Sequence, residues 1–165
     1  MSNLEWPEGA ALVGSISREL RHVRLGDRRL DARAVVTGRG LARRPSLSLP
    51  ESIGVKAAVD GAYDFLSNQR VQFDALLRSH AHETATRVAA EQDVLIVHDT
   101  TEFAFSTDRR GLGRLASASS GRRGFIFHCS LALTADARCL PLGVAWANTY
   151  VRSEEPKPQR RNGKE

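Results

Sequence analysis

The order of apolar and polar positions divides the chain into a helical front and a strand-bearing back. Over residues 8–23, Leu12, Ile16, Leu20 and Val23 recur at helical spacing, with Arg18, Glu19 and Arg21 off that stripe. Gly26 fits a helix C-cap and Asp27 an N-cap for the next helix. That helix, about 28–42, carries Leu30, Ala34 and Leu41 inside and Arg28, Arg29, Arg33 and Arg39 on its other faces, with Arg43 and Arg44 following. Two short helices joined by a Gly-containing turn match a helix-turn-helix pattern, which many non-binding helical hairpins share. After a Ser/Pro loop over 45–50, a third helix is predicted over 52–67, burying Val55, Ala58, Val59, Ala62 and Leu66. A fourth is predicted over 72–91, with Phe73, Leu76, Leu77, Ala81, Thr84 and Val88 on one side. His80 and His82 stand two apart on it, so they point to different faces and read as surface or boundary histidines.

The pattern then changes period. Val94-Leu95-Ile96-Val97 reads as a strand buried on both faces, and His98-Asp99-Thr100-Thr101-Glu102 follows directly. Residues 106–124 are irregular and rich in Gly, Ser and Arg. Residues 125–134 alternate: Phe125, Phe127, Cys129, Leu131 and Leu133 share one face, and Ile126, His128, Ser130 and Ala132 the other. Thr134 to Arg138 is the turn of a hairpin. The return strand carries Leu140, Leu142, Val144 and Trp146, starts near Pro141 and runs to about Tyr150. With a turn at Asp136-Ala137, Cys129 is expected opposite Val144 rather than Cys139, so both thiols read as reduced and structural. Residues 151–165 are charged and aperiodic, as in a linker or tail.

Composition changes this picture in one respect. The net charge of +5 is unevenly spread: 1–50 carries a net of +4, 51–100 a net of −4 and 101–165 a net of +5. Nearly every base is Arg, whose planar fork suits phosphate and guanine edges. Two basic segments around an acidic middle fit contact with a polyanion, and equally a solvated surface. Gly111-Leu112-Gly113 lacks the third glycine and βαβ context of a dinucleotide fingerprint. Arg109, Arg110, Arg114, Arg122 and Arg123 around it suit phosphate contact on a mobile loop. No apolar run approaches the ~20 residues of a membrane span, and Met1 to Glu8 lacks the signature of a signal peptide. A cytoplasmic protein of bacterial type is expected. Asp99 needs a partner, because an unpaired buried carboxylate is costly; at a strand end it would hold a donor or a divalent cation. A carboxylate capping a turn or helix fits the same residues.

Three motifs in order carry a resemblance: Leu25-Gly26-Asp27-x-Arg29-x-x-Ala32-Arg33, then Gly61-Ala62-Tyr63-x-Phe65-x-x-Asn68, then His98-Asp99-Thr100-Thr101. Gly111-Leu112-Gly113, a basic segment, Gly124-Phe125 entering a strand with His128, and Leu142-Gly143 in the next strand continue it. In this order and spacing the chain resembles bacterial cut-and-paste transposases of the IS-four group, the Tn-five-like members in particular. The resemblance implies an α+β chain. A helical N-terminal DNA-binding domain over 1–70 would precede an incomplete RNase H-like core over 71–150, with three mainly antiparallel strands and a charged tail over 151–165. It implies double-stranded transposon-end DNA as partner, a homodimer in the synaptic complex, nucleoid association, and neither a membrane nor a small-molecule substrate.

In that family an Asp-Asp-Glu triad holds two divalent ions, Mg²⁺ or Mn²⁺. Asp99 falls on the first acid and metal ligand, and Arg29, Arg33, Arg43 and Arg44 in the DNA-binding helix and the stretch after it. Arg114, Arg122 and Arg123 are further expected DNA contacts. Two departures stand out. Asp64 occupies a position that is often basic in relatives. The second Asp and the Glu have no counterpart, so the chain reads as a truncated transposase that binds DNA, holds metal weakly and is inactive alone. A non-catalytic DNA-binding or inhibitory module derived from such an enzyme is the alternative.

Overall fold

The computed structural model describes residues 15–106, 109–115 and 122–152. Residues 15–19 are helical and pass into turns over 20–22. Then come α1 (Arg28–Arg43), α2 (Leu49–Ile53), α3 (Lys56–Ser67) and α4 (Phe73–Val88), followed by β1 (Val94–Phe105), β2 (Gly113–Arg114), β3 (Arg123–Thr134) and β4 (Pro141–Tyr150). The architecture is α+β, helices first and sheet after. The first half of the expected 8–23 helix, the tip of the basic loop and the tail from residue 153 lie outside the described residues.

Local chemistry starts and stops the helices. Gly26 turns the chain at φ 78°, where a side chain would be strained. The Asp27 carboxylate then caps α1 by accepting from Arg29 N at 2.8 Å. Asp31 reaches back to accept from Leu25 N at 2.8 Å and fixes the entry. The expected third helix is in fact two: Gly54 at φ 82° separates α2 from α3. Ser48 and Glu51 form a capping box at the start of α2.

The core of the helical part gathers Val23, Leu25, Ala34, Phe65 and Ala75, with Leu20, Leu30, Val71 and Leu76 against it. Ala34 is buried as expected, but Leu41, expected inside α1, is exposed, and Thr37 and Gly40 are buried instead. The reason is close crossing of neighbours. A Cβ on Gly38 would lie 2.9 Å from the Ile16 side chain, and one on Gly40 3.0 Å from Ile53. Small residues face the contacts, so the large residue is displaced outward. Likewise Val55 and Leu66 are exposed while Phe65 is buried.

The sheet has four strands where three were expected, all pairs antiparallel. β3 is central: β1 lies along one edge, and β4 and the short β2 share the other. Among the described residues nothing pairs with the outer edge of β1. In this register opposed residues share a face. Ile126, Ser130, Ala132 and Thr134 are buried on one face. There Gly143, opposite Ala132, abuts Thr84 and Arg87 of α4 so closely that a Cβ would collide with both. The other face carries Leu95, Val97, Asp99, Thr101 and Phe103 opposite Leu133, Leu131, Cys129, Phe127 and Phe125. It is the more apolar face and the less covered. Phe103 stacks on Phe125 at 5.0 Å, yet Phe103, Leu95 and Val97 each remain more than two-fifths exposed.

Three expectations are corrected here. The 94–97 run is not buried on both faces: Leu95, Ile96 and Val97 are all exposed, because no described element covers it. Asp99 is not at a strand end but in the middle of a 12-residue strand. Thr100 to Phe105 continue the ladder as β-branched and aromatic residues suit it. Cys129 pairs with Ala147, not Val144, because bulges between Ser130 and Leu131 and between Ala132 and Leu133 shift the register. Both cysteines are free, and Cys139 is exposed.

Candidate nucleic-acid interface

α1 and α3 cross where the first two sequence motifs meet. Arg29, Leu30 and Arg33 from α1, with Gly61, Asp64, Phe65 and Asn68 from α3 and its cap, line one surface cavity of about 150 Å³. Motif residues about thirty positions apart thus share one site. The Arg33 guanidinium lies across α3 at Gly61, where an added Cβ would collide with Nη1. The glycine of Gly61-Ala62-Tyr63 is therefore a seat for an arginine. Asp64 lies on the same rim, so its charge acts directly beside Arg29 and Arg33 and lowers the local positive potential.

Arg29, Arg33, Arg43 and Arg44 are all exposed. Arg39, on the same helix, is held at its Nε by Ser17 Oγ at 2.6 Å. The four expected DNA contacts of the helical part thus run along and just beyond α1. The other three lie elsewhere. Arg114 in β2 is the cross-strand partner of Arg123, and Arg122 precedes it. Arg123 is a β3 residue opposite Phe105 rather than part of a mobile loop, because the ladder reaches further than the irregular composition suggests.

Asp99 is far from the arginines of β2 and β3. It pairs with Cys129, six β1 positions from the Phe105–Arg123 pair, about 20 Å at ~3.4 Å per residue. Its face holds no second carboxylate among the described residues. Glu102, opposite Ile126, belongs to the other face, as its odd spacing from Asp99 predicts, and lies 3.9 Å from Arg152. Asp108 lies outside the described residues. Beside Asp99, on the covered face, His98 Nδ1 meets Ser130 Oγ at 2.8 Å and Thr100 bonds His128 Nδ1.

The polar joint between the helical part and the sheet gave no sequence signal. Glu19 is buried and takes Arg87 Nη1 at 2.7 Å and Nη2 at 3.3 Å. Arg87 Nε also donates to Leu142 O. His80 bridges the two parts: Val144 N donates to its Nε2 at 2.9 Å, so Nδ1 carries the proton and donates to Glu19 Oε2 at 2.7 Å. Ser79 Oγ donates to Glu19 O at 2.7 Å and accepts from His22 N at 3.1 Å. His80 is thus a boundary histidine, one of the two alternatives the sequence leaves open, and its role is to connect the two parts. The partners lie about 60 residues apart, so only an alignment of partners or a structure could pair them.

A second polar group, Arg21, His22 and Glu83, likewise has no sequence signal. Arg21 donates to Glu83 at 2.8 Å, and His22 Nε2 lies 3.3 Å from the same carboxylate. Burial opposes ionisation of Glu83. The Arg21 hydrogen bond and charge outweigh it and hold the carboxyl below its ordinary range.

Residues 14–71 match the family model described as transposase DNA-binding. The matched span contains α1, α2, α3 and the Arg29–Arg33–Gly61 cavity. It supports a transposase-type N-terminal DNA-binding domain in this part of the chain, with DNA as its partner. No helix among the described residues is long and apolar enough to cross a membrane.

Proposed function

We propose that the chain binds the ends of a cut-and-paste insertion element of the IS-four type through the α1–α3 surface, and that its sheet is the first part of an RNase H-like core. The observation that carries the DNA-binding reading is the convergence of Arg29, Arg33 and Gly61 on one cavity inside the span that matches transposase DNA-binding domains. Arg33 and Arg29 read the duplex; Arg43 and Arg44 neutralise phosphates beyond the end of α1. Arg114, Arg122 and Arg123 take the backbone further along.

The core reading rests on topology. A β1–β3–β4 antiparallel meander, with Asp99 on β1 and the outer β1 edge unpaired among the described residues, suits a larger sheet continuing past β1. In this reading Asp99 is the first acid of a triad for DNA strand transfer. Two ions ~3.5–4 Å apart need several converging carboxylates. The described residues do not fit such a pair: Asp99 stands alone on its face and Glu102 turns away. No catalytic step is therefore assigned to this chain. Asp99 standing alone on its face among the described residues also suits a second reading, a DNA-binding module that competes with or joins a complete enzyme in a mixed dimer.

The test is binding of purified chain to labelled duplex from the DNA flanking its gene, across a salt series. Binding should weaken as salt rises, with a slope of about −0.9 per phosphate contacted, and Arg33→Ala should weaken it. No binding, or binding indifferent to salt and to Arg33→Ala, overturns the DNA-binding reading. Incubation with Mg²⁺ or Mn²⁺ should leave the DNA uncut; cleavage lost in Asp99→Ala would mean that another acid completes the site.

A further inference from the structure

His22, His82 and Glu83 bring two imidazoles and a carboxylate together, from a turn and a helix sixty residues apart. Their ligand atoms all lie within 4.8 Å of one another. The rings of His22 and His82 meet edge to face with centroids 4.5 Å apart. We infer that these three side chains form a site for a borderline divalent transition ion, zinc foremost, that fastens the turn after the first helical segment to α4.

The geometry is close to what such an ion needs. Zinc–nitrogen and zinc–oxygen bonds of about 2.0–2.2 Å at tetrahedral angles set ligand atoms roughly 3.3–3.6 Å apart. His22 Nε2 and Glu83 Oε1 are already 3.3 Å apart. His82 is exposed, so its ring can close the remaining gap by a side-chain rotation.

A second observation points to a cation in this place. Arg21 Nε donates both to His22 Nε2, at 3.0 Å, and to Glu83 Oε1, at 2.9 Å. Accepting that bond fixes His22 Nε2 as the unprotonated nitrogen, so its lone pair points into the gap as a metal ligand's must. Arg21 thus stands where the ion would stand. The two differ in freedom. Glu83 is only 3% exposed and cannot leave; the Arg21 side chain is 54% exposed and can swing into water. A buried carboxylate that needs a positive charge, held by a replaceable one, can exchange guanidinium for metal.

The donor set chooses the ion. Two neutral imidazoles and one carboxylate suit zinc and its neighbours and suit Mg²⁺ or Ca²⁺ poorly. Three protein ligands leave the fourth position to water, as in open zinc sites. The cleft of about 300 Å³ beside His22 and His82 gives the ion its way in. Loaded, the site would tie a turn of the helical part to the helix that bonds β4, and would free Arg21.

The experiment uses the full chain, without an affinity tag and freed of metal by chelation. Zinc titration by calorimetry should give one equivalent per chain and raise the unfolding temperature. Cobalt should give the visible bands of a tetrahedral ion. His22→Ala and His82→Ala should each weaken binding by at least about tenfold. His98→Ala, on the sheet, should leave it unchanged. Arg21→Ala should bind zinc more tightly than the parent chain, which a purely structural arginine would not bring about. Circular dichroism checks each fold, and if His22→Ala does not fold, the His82→Ala and Arg21→Ala results decide. No saturable zinc binding, or one equivalent retained in both histidine variants, overturns the inference. Weaker binding in Arg21→Ala overturns the exchange of guanidinium for metal.

Discussion

Replacing Glu19 by Ala removes one acceptor from two donors at once. Arg87 loses contacts at 2.7 and 3.3 Å, and His80 Nδ1–H one at 2.7 Å. Breaking a buried ion pair from one side costs about 3–5 kcal/mol, because the other charge stays behind unpaired. Here the stranded Arg87 side chain is 33% exposed, so water reaches part of it, and it keeps Leu142 O. The cost should therefore fall to about 2–3 kcal/mol. For a chain of this size that lowers the unfolding temperature by roughly 4–12 °C. Urea unfolding followed by intrinsic fluorescence measures the loss. Glu19→Gln, which keeps an acceptor, should lose less. In a double-mutant cycle with Arg87→Ala the coupling should be about 1–2 kcal/mol, since the residues touch. A Glu19→Ala loss within about 0.5 kcal/mol, or strict additivity with Arg87→Ala, would refute the joint as a stabilising contact.

Gly61→Ala should push the Arg33 guanidinium off its seat. DNA affinity should fall as in Arg33→Ala, by ~1–3 kcal/mol if Arg33 reads a base. The helix itself should gain up to ~1 kcal/mol, so full DNA affinity in Gly61→Ala would count against the seat. Glu83 ionises below its ordinary value of 4.5 in the folded chain, so its contribution is complete above that pH and is lost as pH falls below it. Glu83→Gln should flatten the acid limb of a urea-midpoint profile; parallel profiles would refute this. The open apolar face predicts self-association. Leu95→Lys or Val97→Lys should shift the chain toward monomer by light scattering, and an unchanged mass would show that this face is not the contact.

Local chemistry made much of the fold legible. The Gly26-Asp27 signal gave the start of α1, because a turn glycine and a capping carboxylate act within a few residues. Alternation over 125–134 gave β3 and its two faces. The more apolar of those faces proved to be the open one, since alternation says which residues share a side but not which side is covered. A carboxylate after an apolar run reads as a boundary, which puts Asp99 at a strand end rather than in mid-strand where it lies. Thr101, Phe103 and Phe105, alternating after it, carried the correct signal. Leu41 misled for the opposite reason: in α1 the contacts are so close that Gly38 and Gly40 face inward. Of the candidate DNA residues, motif order placed Arg29 and Arg33 in one helix, but not that Arg33 rests on Gly61. The Glu19–His80–Arg87 and Arg21–His22–Glu83 groups depend on tertiary approach of distant segments and have no spacing to betray them.

α4 is shared by two cores. At its start, Ala75 and Leu76 complete the packing around Phe65 and Leu30. Towards its end, Thr84 and Arg87 press on Gly143 and brace β4. At 1.5 Å per residue its 16 residues make a rod of about 24 Å, too stiff to bend between its two attachments. A recombinant piece ending at residue 71, where the family match stops, would lack the near end of this rod and lose Ala75 and Leu76 from the core around Phe65; one ending after Val88 would keep them. The same rod makes the two halves mechanically continuous. A tilt imposed on the helical part by a bound duplex would be delivered to β4, and through β3 to the strand that carries Asp99.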